Sequence, residues 1–334
     1  MKRRDFMKLS VGLGTTMATT LAMASRTHAQ TKTIFKASDV QPPGYPTVAA
    51  TENLGKKLEA ATNGRLSIQM FPSMQLGGEK ETIEQTQIGA IQLLRVSAGT
   101  IGPIVDEINV VNMPFLFKNM AHAEKMMDGP IGQELLDRIA ANASAGLVGL
   151  CWMNSGARSL YNTKRPIKSI EDLKGLKFRV IGNPIFIDMM NALGGNGVAM
   201  GYDQVFSALQ TGVIDGAENN PPSYVFSNHY TAAKYYSLTE HLVIPEVLAF
   251  SKKAWTALSS DDQNLIKKFA REAQLEEREF WNKYEKLAIE KAQAAGCQII
   301  EIADKTPFQN AVKPVWDKYG PKYQGMIKRI QEIA

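Results

Sequence analysis

The sequence has few cysteines, and it has no long apolar segment. Cys151 and Cys297 are its only cysteines in 334 residues, and they do not form a CxxC pair. Each lies beside apolar residues, so buried free thiols are expected, with a disulfide between them as the alternative. A cysteine nucleophile and a disulfide framework therefore lose support. No run reaches the roughly 18 apolar residues that a membrane-spanning helix requires.

Histidines and recognisable catalytic motifs are also scarce. After residue 29 the chain has three histidines, His122, His229 and His241, and their spacing is not that of metal ligands. We expect His122 on a protein surface and the other two in a cleft or a core. The sequence contains no HExxH, Walker A or GxSxG motif. No metal and no cofactor are therefore expected, and an exported enzyme that acts on a sugar acid is the less favoured alternative.

Positive charge is concentrated at the N-terminus. Residues 1–29 hold five Lys or Arg and one Asp, so they carry 5 − 1 = +4 of the formal net charge of +5. Arg3 and Arg4 form a twin-arginine pattern before a Gly, Thr and Ala-rich stretch, which predicts a signal peptide cleaved after Ala29. The remaining chain is nearly neutral, which argues against nucleic acid. The sequence predicts a soluble periplasmic protein.

The first half of the mature chain alternates strand and helix patterns. Apolar residues recur every second position in the predicted strands and at helical spacing in the predicted helices. This alternation predicts an α/β fold whose helices cover a largely parallel sheet. The predicted elements are strands at 33–38, 65–71, 91–96 and 146–153, and helices at 47–61, 79–89 and 121–143.

A second block of elements begins near Asn154, and a chain of this length favours two domains with a cleft between them. We predict a long helix from Ser260 to about residue 295, with Ser260 and Gln263 as a capping box and Gly296 as its end. Other predicted elements are strands at 177–180 and 212–217 and helices at 183–193 and 204–210. The predicted organisation is lobe 1 at 30–153, lobe 2 at 154–240, a return to lobe 1 at 241–259, a helix bridging both lobes at 260–296, and a C-terminal segment on lobe 2 at 297–334.

Residues 154–222 contain the chemistry that suits an organic acid. Arg158 and Arg179 can each pair with both oxygens of a carboxylate, which Lys cannot do. Asn219 and Asn220 offer donors and acceptors to hydroxyl groups, and Pro221 restricts Asn220 to extended conformations. Composition alone leaves two other interpretations open, a solvated strand-edge arginine and an ordinary turn. The pattern nevertheless favours a carboxylate that also carries hydroxyls.

Several segments, taken together and in order, resemble one protein family. They include FPSMQLGG at 71–78, MPFLF at 113–117, GAR at 156–158, LKGLKFRV at 173–180 and ALQTGVIDGAEN at 208–219. With the twin-arginine signal, they resemble the DctP-type solute-binding proteins of tripartite ATP-independent periplasmic (TRAP) transporters. The resemblance implies a two-lobed periplasmic binding protein fold in which each lobe is a mixed, mostly parallel sheet flanked by helices. It also implies a protein that closes around an organic acid and delivers it to membrane permease subunits, and we expect this protein to be a monomer.

The resemblance further implies which residues contact the ligand. The position of Arg179 makes the carboxylate salt bridge, Arg158 is a second cationic contact, and Asn219 is a polar contact at a strand end. Asn183 follows the arginine strand, where another polar contact is often found, and Asn220 joins Asn219 as a partner for hydroxyls. From lobe 1, the expected contacts are Asp39 in the loop 39–45, Glu79, and Arg95 or Ser97.

The ligand predicted from this resemblance is a hexuronate such as D-glucuronate or D-galacturonate. The segments 39–47, 219–224 and 234–241 look like those of uronate-binding members. A ligand without hydroxyls would leave many of the polar side chains named above unpaired. Other sugar acids, C4-dicarboxylates and keto acids are the alternatives. A protein that senses its ligand for a membrane receptor would share the same fold and site.

Overall fold

Two mixed β-sheets with helices on their faces organise the chain. The computed structural model describes residues 32–333, so the predicted signal peptide at 1–29 lies outside the described residues. The strands are β1 Thr33–Ser38, β2 Leu66–Phe71, β3 Leu93–Ser97, β4 Leu147–Met153, β5 Ala157–Asn162, β6 Lys177–Val180, β7 Asn196–Ala199, β8 Gly216–Asn219, β9 Tyr235–Val243, β10 Glu246–Ser251 and β11 Gln298–Glu301. The helices are α1 Pro46–Ala61, α2 Glu79–Gln87, α3 Ala98–Ile101, α4 Met120–Asp128, α5 Pro130–Ala141, α6 Pro184–Ala192, α7 Val205–Thr211, α8 Pro221–Phe226, α9 His229–Ala232, α10 Lys252–Trp255, α11 Ser260–Ala294, α12 Thr306–Ala311 and α13 Lys313–Gln331.

Each sheet contains strands from distant parts of the chain. The first sheet has the order β2-β1-β3-β10-β4, and the second has the order β11-β9-β5-β8-β6-β7. We call the first sheet with its helices lobe 1 and the second with its helices lobe 2. Five of the nine strand pairings are parallel and four are antiparallel. The predicted fold class, two α/β lobes with mixed sheets, is confirmed.

The chain passes between the sheets more than once. It leaves lobe 1 at residues 154–156, between β4 and β5, and returns at residues 244–245, between β9 and β10. After α11 it adds β11 to the edge of the second sheet. The C-terminal helix α13 then contacts α6 of lobe 2 and the 3-10 helix Asp106–Asn112 that follows lobe 1 strand β3. Multiple crossings of this kind suit a hinge, because several short segments can share one rotation.

The long helix α11 spans both lobes. It has 35 residues, about 52 Å at 1.5 Å per residue, and contacts α1 and β4 of lobe 1 as well as α8 and β11 of lobe 2. Its N-cap is Ser259, whose side chain accepts a hydrogen bond from the backbone N–H of Asp262. The prediction that Ser260 caps the helix was therefore wrong by one residue. Gly296, with φ of 78°, follows its C-terminus as predicted. Trp281 of this helix is buried, whereas Leu287 is 45% exposed.

Two other predicted elements differ in the structure. The single helix predicted at 121–143 is two helices, α4 and α5, because the backbone of Gly129 is extended, with ψ of −177°, and Pro130, which has no backbone N–H, begins the second helix. The strand predicted at 212–217 begins only at Gly216. Gly212 ends α7 in the left-handed region, with φ of 75°, so the next residues are a turn. Strand β8 therefore extends to Asn219 and carries Glu218 at its centre.

Within residues 32–333, the cysteines and histidines lie inside the protein. Cys151 and Cys297 are buried free thiols, in the apolar cores of lobe 1 and lobe 2 respectively. His122 is also buried, and its Nε2 lies 2.8 Å from the carbonyl oxygen of Ile330, so the prediction of a surface histidine was wrong. The docked C-terminal helix covers it. Within residues 32–333, no helix is long and apolar enough to cross a membrane, and no cluster of three or more acidic, His or Cys side chains is arranged to hold a metal ion.

Candidate ligand-binding cleft

A polar cleft lies between the two lobes. Its free volume is small, about 30 Å³, so the two walls lie close together in this structure. Lobe 1 lines it from the ends of β1 and β3, the start of α2 and the start of β10, and lobe 2 from β5, β6, β8 and α8. The lining residues are Val40, Gln41, Glu79, Arg95, Ser97 and Glu246 from lobe 1, and Arg158, Arg179, Ile181, Tyr202, Asn219 and Ser223 from lobe 2.

Arg179 is a buried cation without a carboxylate partner among the described residues. It lies on β6, between β7 and β8, and is 5% exposed. Its Nε donates to the carbonyl oxygen of Met200 at 2.8 Å, and its guanidinium lies 5.7 Å from the ring centre of Tyr202. Its two terminal nitrogens donate to no group in the described chain. Burial lowers the pKa of Arg179 from its usual value, and Glu218 only partly opposes this. An anion from outside the protein would complete its pairing.

Arg158 is already neutralised by a buried glutamate. Its Nε lies 2.5 Å and its Nη2 2.8 Å from the two carboxylate oxygens of Glu218, and Nη1 donates to Oδ1 of Asn219 at 2.8 Å. Burial alone would raise the pKa of Glu218, but Arg158 and His241 outweigh it and lower the pKa to about 2. Arg158 therefore lines the cleft as part of a buried ion pair. Its charge is not free for a ligand in the way that the charge of Arg179 is.

Arg95 is surrounded by three carboxylates. Its Nε donates to Asp39 at 2.9 Å, and its Nη1 donates to Glu79 and to Glu246 at 2.9 Å each. The pKa of Glu246 is raised, and burial is the largest cause. The negative charges of Glu79 and Asp39 act in the same direction, whereas Arg95 opposes them. One guanidinium therefore faces three acidic groups, and this wall of the cleft is acidic when all three are ionised.

The three asparagines predicted as ligand contacts occupy different places. Asn219 lines the cleft, its Oδ1 accepts from Arg158 and from the backbone of Asn220, and its Nδ2 has no partner among the described residues. Asn220 caps α8 and donates to Ser155 at 3.1 Å, away from the cleft lining. Asn183 caps α6, and its Nδ2 donates to Asn109 of lobe 1 at 2.8 Å. Only Asn219 offers a free group to the cleft.

Five of the eight predicted site residues line the cleft. They are Arg179, Arg158, Asn219, Arg95 and Glu79. The other three, Asp39, Asn183 and Asn220, are buried behind it and hold its walls through hydrogen bonds.

Sequence reasoning missed several lining residues. Glu246 has a usable signal, because it is the one charged residue in the apolar stretch 242–250. Gln41 lies inside the loop 39–45 that was expected to face the ligand, yet it was not singled out. Tyr202 and Ser223 carry no distinctive signal, since both lie in ordinary turn and helix-start sequences.

Side chains of both lobes meet across the cleft. Ser223 of α8 lies 3.1 Å from Nε2 of Gln41 and 2.9 Å from the hydroxyl of Tyr45, which precedes α1. The ring of Tyr45 packs edge-on against Phe226 of α8, with 5.5 Å between ring centres, and against Trp281 of α11 at 6.0 Å. These contacts hold the lobes together, and the cleft is in its closed arrangement.

The histidine beside the cleft adds no positive charge at neutral pH. Nδ1 of His229 lies 2.7 Å from the hydroxyl of Tyr161. Burial, together with the nearby charge of Arg179, lowers the pKa of His229 to about 3. Arg179 is therefore the cation of the cleft that still requires an anionic partner.

Comparison with known proteins places this geometry in context. Residues 37–322 match the bacterial extracellular solute-binding proteins of family 7, DctP. A TRAP periplasmic solute-binding protein from Pseudomonas putida F1, solved with bound D-glucuronate, is 52% identical, with a TM-score of 0.88 over 90% of this chain and 97% of that chain. A TRAP protein from a Bradyrhizobium species, in complex with D-galacturonate, is 43% identical, with a TM-score of 0.87 over 90% of this chain and 100% of that chain.

A third relative has been solved in two states. The TRAP solute-binding protein from Citrobacter koseri is 44% identical when solved with bound D-glucuronate, with a TM-score of 0.88 over 90% of this chain and 100% of that chain. Its apo, open structure gives a TM-score of 0.79 over 90% of this chain and 98% of that chain. The present structure is thus more similar to the ligand-bound form, in agreement with the contacts between Tyr45, Gln41 and Ser223.

Proposed function

This chain belongs to the DctP family of bacterial extracellular solute-binding proteins, and we propose that it captures a hexuronate, D-glucuronate or D-galacturonate, for delivery to a TRAP membrane permease. The uronates bound to the similar proteins from Pseudomonas, Citrobacter and Bradyrhizobium support this choice of ligand. The site residues of the present chain supply the physical reason.

The unpaired guanidinium of Arg179 is the observation that carries the proposal. A buried charge without a partner is unfavourable by several kcal/mol, and a carboxylate that binds both terminal nitrogens removes that cost. Arg158 contributes to the same wall while Glu218 keeps it neutral. One ligand carboxylate, rather than two, therefore matches the charge that lobe 2 offers.

Binding would proceed by closure of the two lobes. Arg179 and Asn219 belong to lobe 2 and Glu79 and Glu246 to lobe 1, so a ligand that contacts all four stabilises the closed form over the open one. The direct contact of Ser223 with Gln41 and Tyr45 adds to the same closed form. Capture and release would then follow from a single hinge motion about the segments near 154–156 and 244–245.

Location and partners follow from the family and the N-terminal pattern. We infer a periplasmic monomer that docks on the permease in its closed form, after export through the twin-arginine signal at residues 1–29. A sensing role beside a membrane receptor would use the same cleft. Pull-down of the permease subunits from solubilised membranes, with and without uronate, separates the two roles.

The test is ligand binding by protein purified from the periplasm. We expect D-glucuronate or D-galacturonate to raise the melting temperature and to give a saturable calorimetric titration, since a ligand at about 100 times its Kd adds roughly 2.7 kcal/mol of stability. D-Glucose and D-galactose are matched controls, because they have the same ring without the carboxylate, and they should not bind. Succinate binding without uronate binding would contradict the proposed ligand, and chemical conversion of the uronate would revive the enzyme alternative.

A further inference from the structure

The lobe 1 wall of the cleft contains one carboxylate oxygen that lacks a partner. Oε2 of Glu246 accepts from Arg95 at 2.9 Å, but its Oε1 accepts no hydrogen bond from residues 32–333. Glu246 is 7% exposed and lines the cleft. It begins β10, which is held between β3 and β4, so the backbone beneath it is fixed on both sides.

The neighbouring carboxylates differ from Glu246 in this respect. Oε1 of Glu79 accepts from Arg95 and from the backbone of Ser97, and its Oε2 accepts from Thr100 at 2.5 Å. Oδ1 of Asp39 accepts from Arg95, and its Oδ2 accepts from Thr47 at 2.6 Å. Both groups are satisfied by the protein. Glu246 is left with an oxygen that no other group of residues 32–333 satisfies, and this oxygen is open to a ligand or to water.

The free groups of the cleft are thus separated by lobe. Lobe 2 offers donors, namely the terminal nitrogens of Arg179 and Nδ2 of Asn219, which require acceptors. Lobe 1 offers the acceptor of Glu246, and the side-chain oxygen of Gln41 is also buried without a partner in the described part of the chain. A ligand that satisfies both walls has a carboxylate toward lobe 2 and a hydroxyl donor toward lobe 1.

The charge of the lobe 1 wall acts in the same direction. Asp39, Glu79 and Glu246 contribute three negative charges when ionised, against one positive charge of Arg95. A second carboxylate placed there would meet like charge in a poorly solvated space. The geometry points to Glu246 as the residue that selects acids with a single carboxylate, by accepting a ligand hydroxyl and by repelling a second carboxylate. This inference rests on the proposed uronate site and adds to it the means of rejecting diacids.

The test compares two ligands with one carbon skeleton, D-glucuronate and D-glucarate, which carries a second carboxylate in place of the C1 aldehyde. We expect wild type to prefer glucuronate, and E246Q to reduce that preference at least tenfold by gaining affinity for glucarate. Glutamine keeps the size of Glu246 and one acceptor oxygen, which can still accept from Arg95, while it removes the charge and presents an NH2 donor that a second carboxylate can accept from. The shapes of the two ligands differ, but that difference is the same for both proteins and cancels in the comparison.

D262N is the matched control. Asp262 is also paired with an arginine, Arg65, at 2.8 Å, but it lies on α11 outside the cleft lining. D262N removes the same charge as E246Q, so its preference for glucuronate over glucarate should stay within twofold of that of wild type. A folded E246Q with the preference of wild type overturns the inference, as does an equal effect of D262N.

A measurement on wild type alone covers the case in which E246Q does not fold. Deoxy-glucuronates lacking one hydroxyl each should include at least one that binds tenfold more weakly or worse, because the acceptor of Glu246 is then left unpaired. Binding of every deoxy analogue within threefold of glucuronate overturns the inference. Failure of wild type to bind any uronate overturns the proposed function itself, whereas uronate binding with an unchanged preference in E246Q overturns only the role of Glu246.

Discussion

Replacing Arg179 with methionine should separate ligand binding from stability. In the unliganded protein the substitution removes one hydrogen bond, from Nε to Met200, worth about 1 kcal/mol. It also removes a buried charge that has no counter-ion in the described chain, which is unfavourable by several kcal/mol. The two effects oppose each other, so the melting temperature of unliganded Arg179→Met should equal or exceed that of wild type.

The same substitution should nearly abolish uronate binding. Breaking a buried ion pair by removing one partner costs about 3 to 5 kcal/mol, which corresponds to a loss of affinity of about 150-fold to about 5,000-fold. Isothermal titration with D-glucuronate measures this loss directly. The ligand-induced rise in melting temperature should disappear in the same variant.

Arg158→Met is the matched comparison, because Arg158 lies in the same cleft but already has a partner. Its removal leaves Glu218 buried without the two donors that now satisfy its carboxylate. We expect a loss of stability of about 3 to 5 kcal/mol before any ligand is added. The reasoning is refuted if Arg179→Met is destabilised as much as Arg158→Met, or if it binds glucuronate within threefold of wild type.

Three further outcomes are expected. Glu277 is fully buried on α11, and burial raises its pKa well above the usual value, so its ionisation lowers the stability of the fold as pH rises above about 4.5. Glu277→Gln should therefore raise the melting temperature at pH 7 and lose this advantage at pH 4. Calorimetry across that pH range measures both effects. Tyr45→Phe removes the hydroxyl that contacts Ser223 across the cleft. The loss of this hydrogen bond, about 1 kcal/mol, should make uronate dissociate roughly fivefold faster in stopped-flow fluorescence. An unchanged dissociation rate would show that this contact does not hold the closed form. Cys151 is buried and its pKa is raised by that burial, so a thiol reagent should label it only when the protein unfolds, and rapid labelling of the folded protein would contradict the buried position.

Local sequence patterns were sufficient to predict those helices and strands whose first and last residues are set by neighbouring residues. Strand β1 and helix α1 follow from alternation and helical spacing, closed by Pro46 at the start and Gly64 after the end. The predicted helix at 121–143 failed because its apolar spacing continues across Gly129 and Pro130, where the extended backbone of Gly129 separates α4 from α5. His122 failed for a different reason. Its helix is amphipathic, and only the distant C-terminal helix, which contributes Ile330, decides that this side is covered.

The roles of the three cleft arginines depend on residues that the sequence does not place beside them. Arg95, Arg158 and Arg179 are each strand residues, and residue type alone gives each the same capacity to bind a carboxylate. Strand β8 brings Glu218 to Arg158 and strand β10 brings Glu246 to Arg95, over separations of 60 and 151 residues. Within residues 32–333, no carboxylate is brought to Arg179. The ligand site is therefore defined by which arginine the fold leaves without a partner, and that pairing is a property of the two sheet orders, which local sequence patterns do not encode.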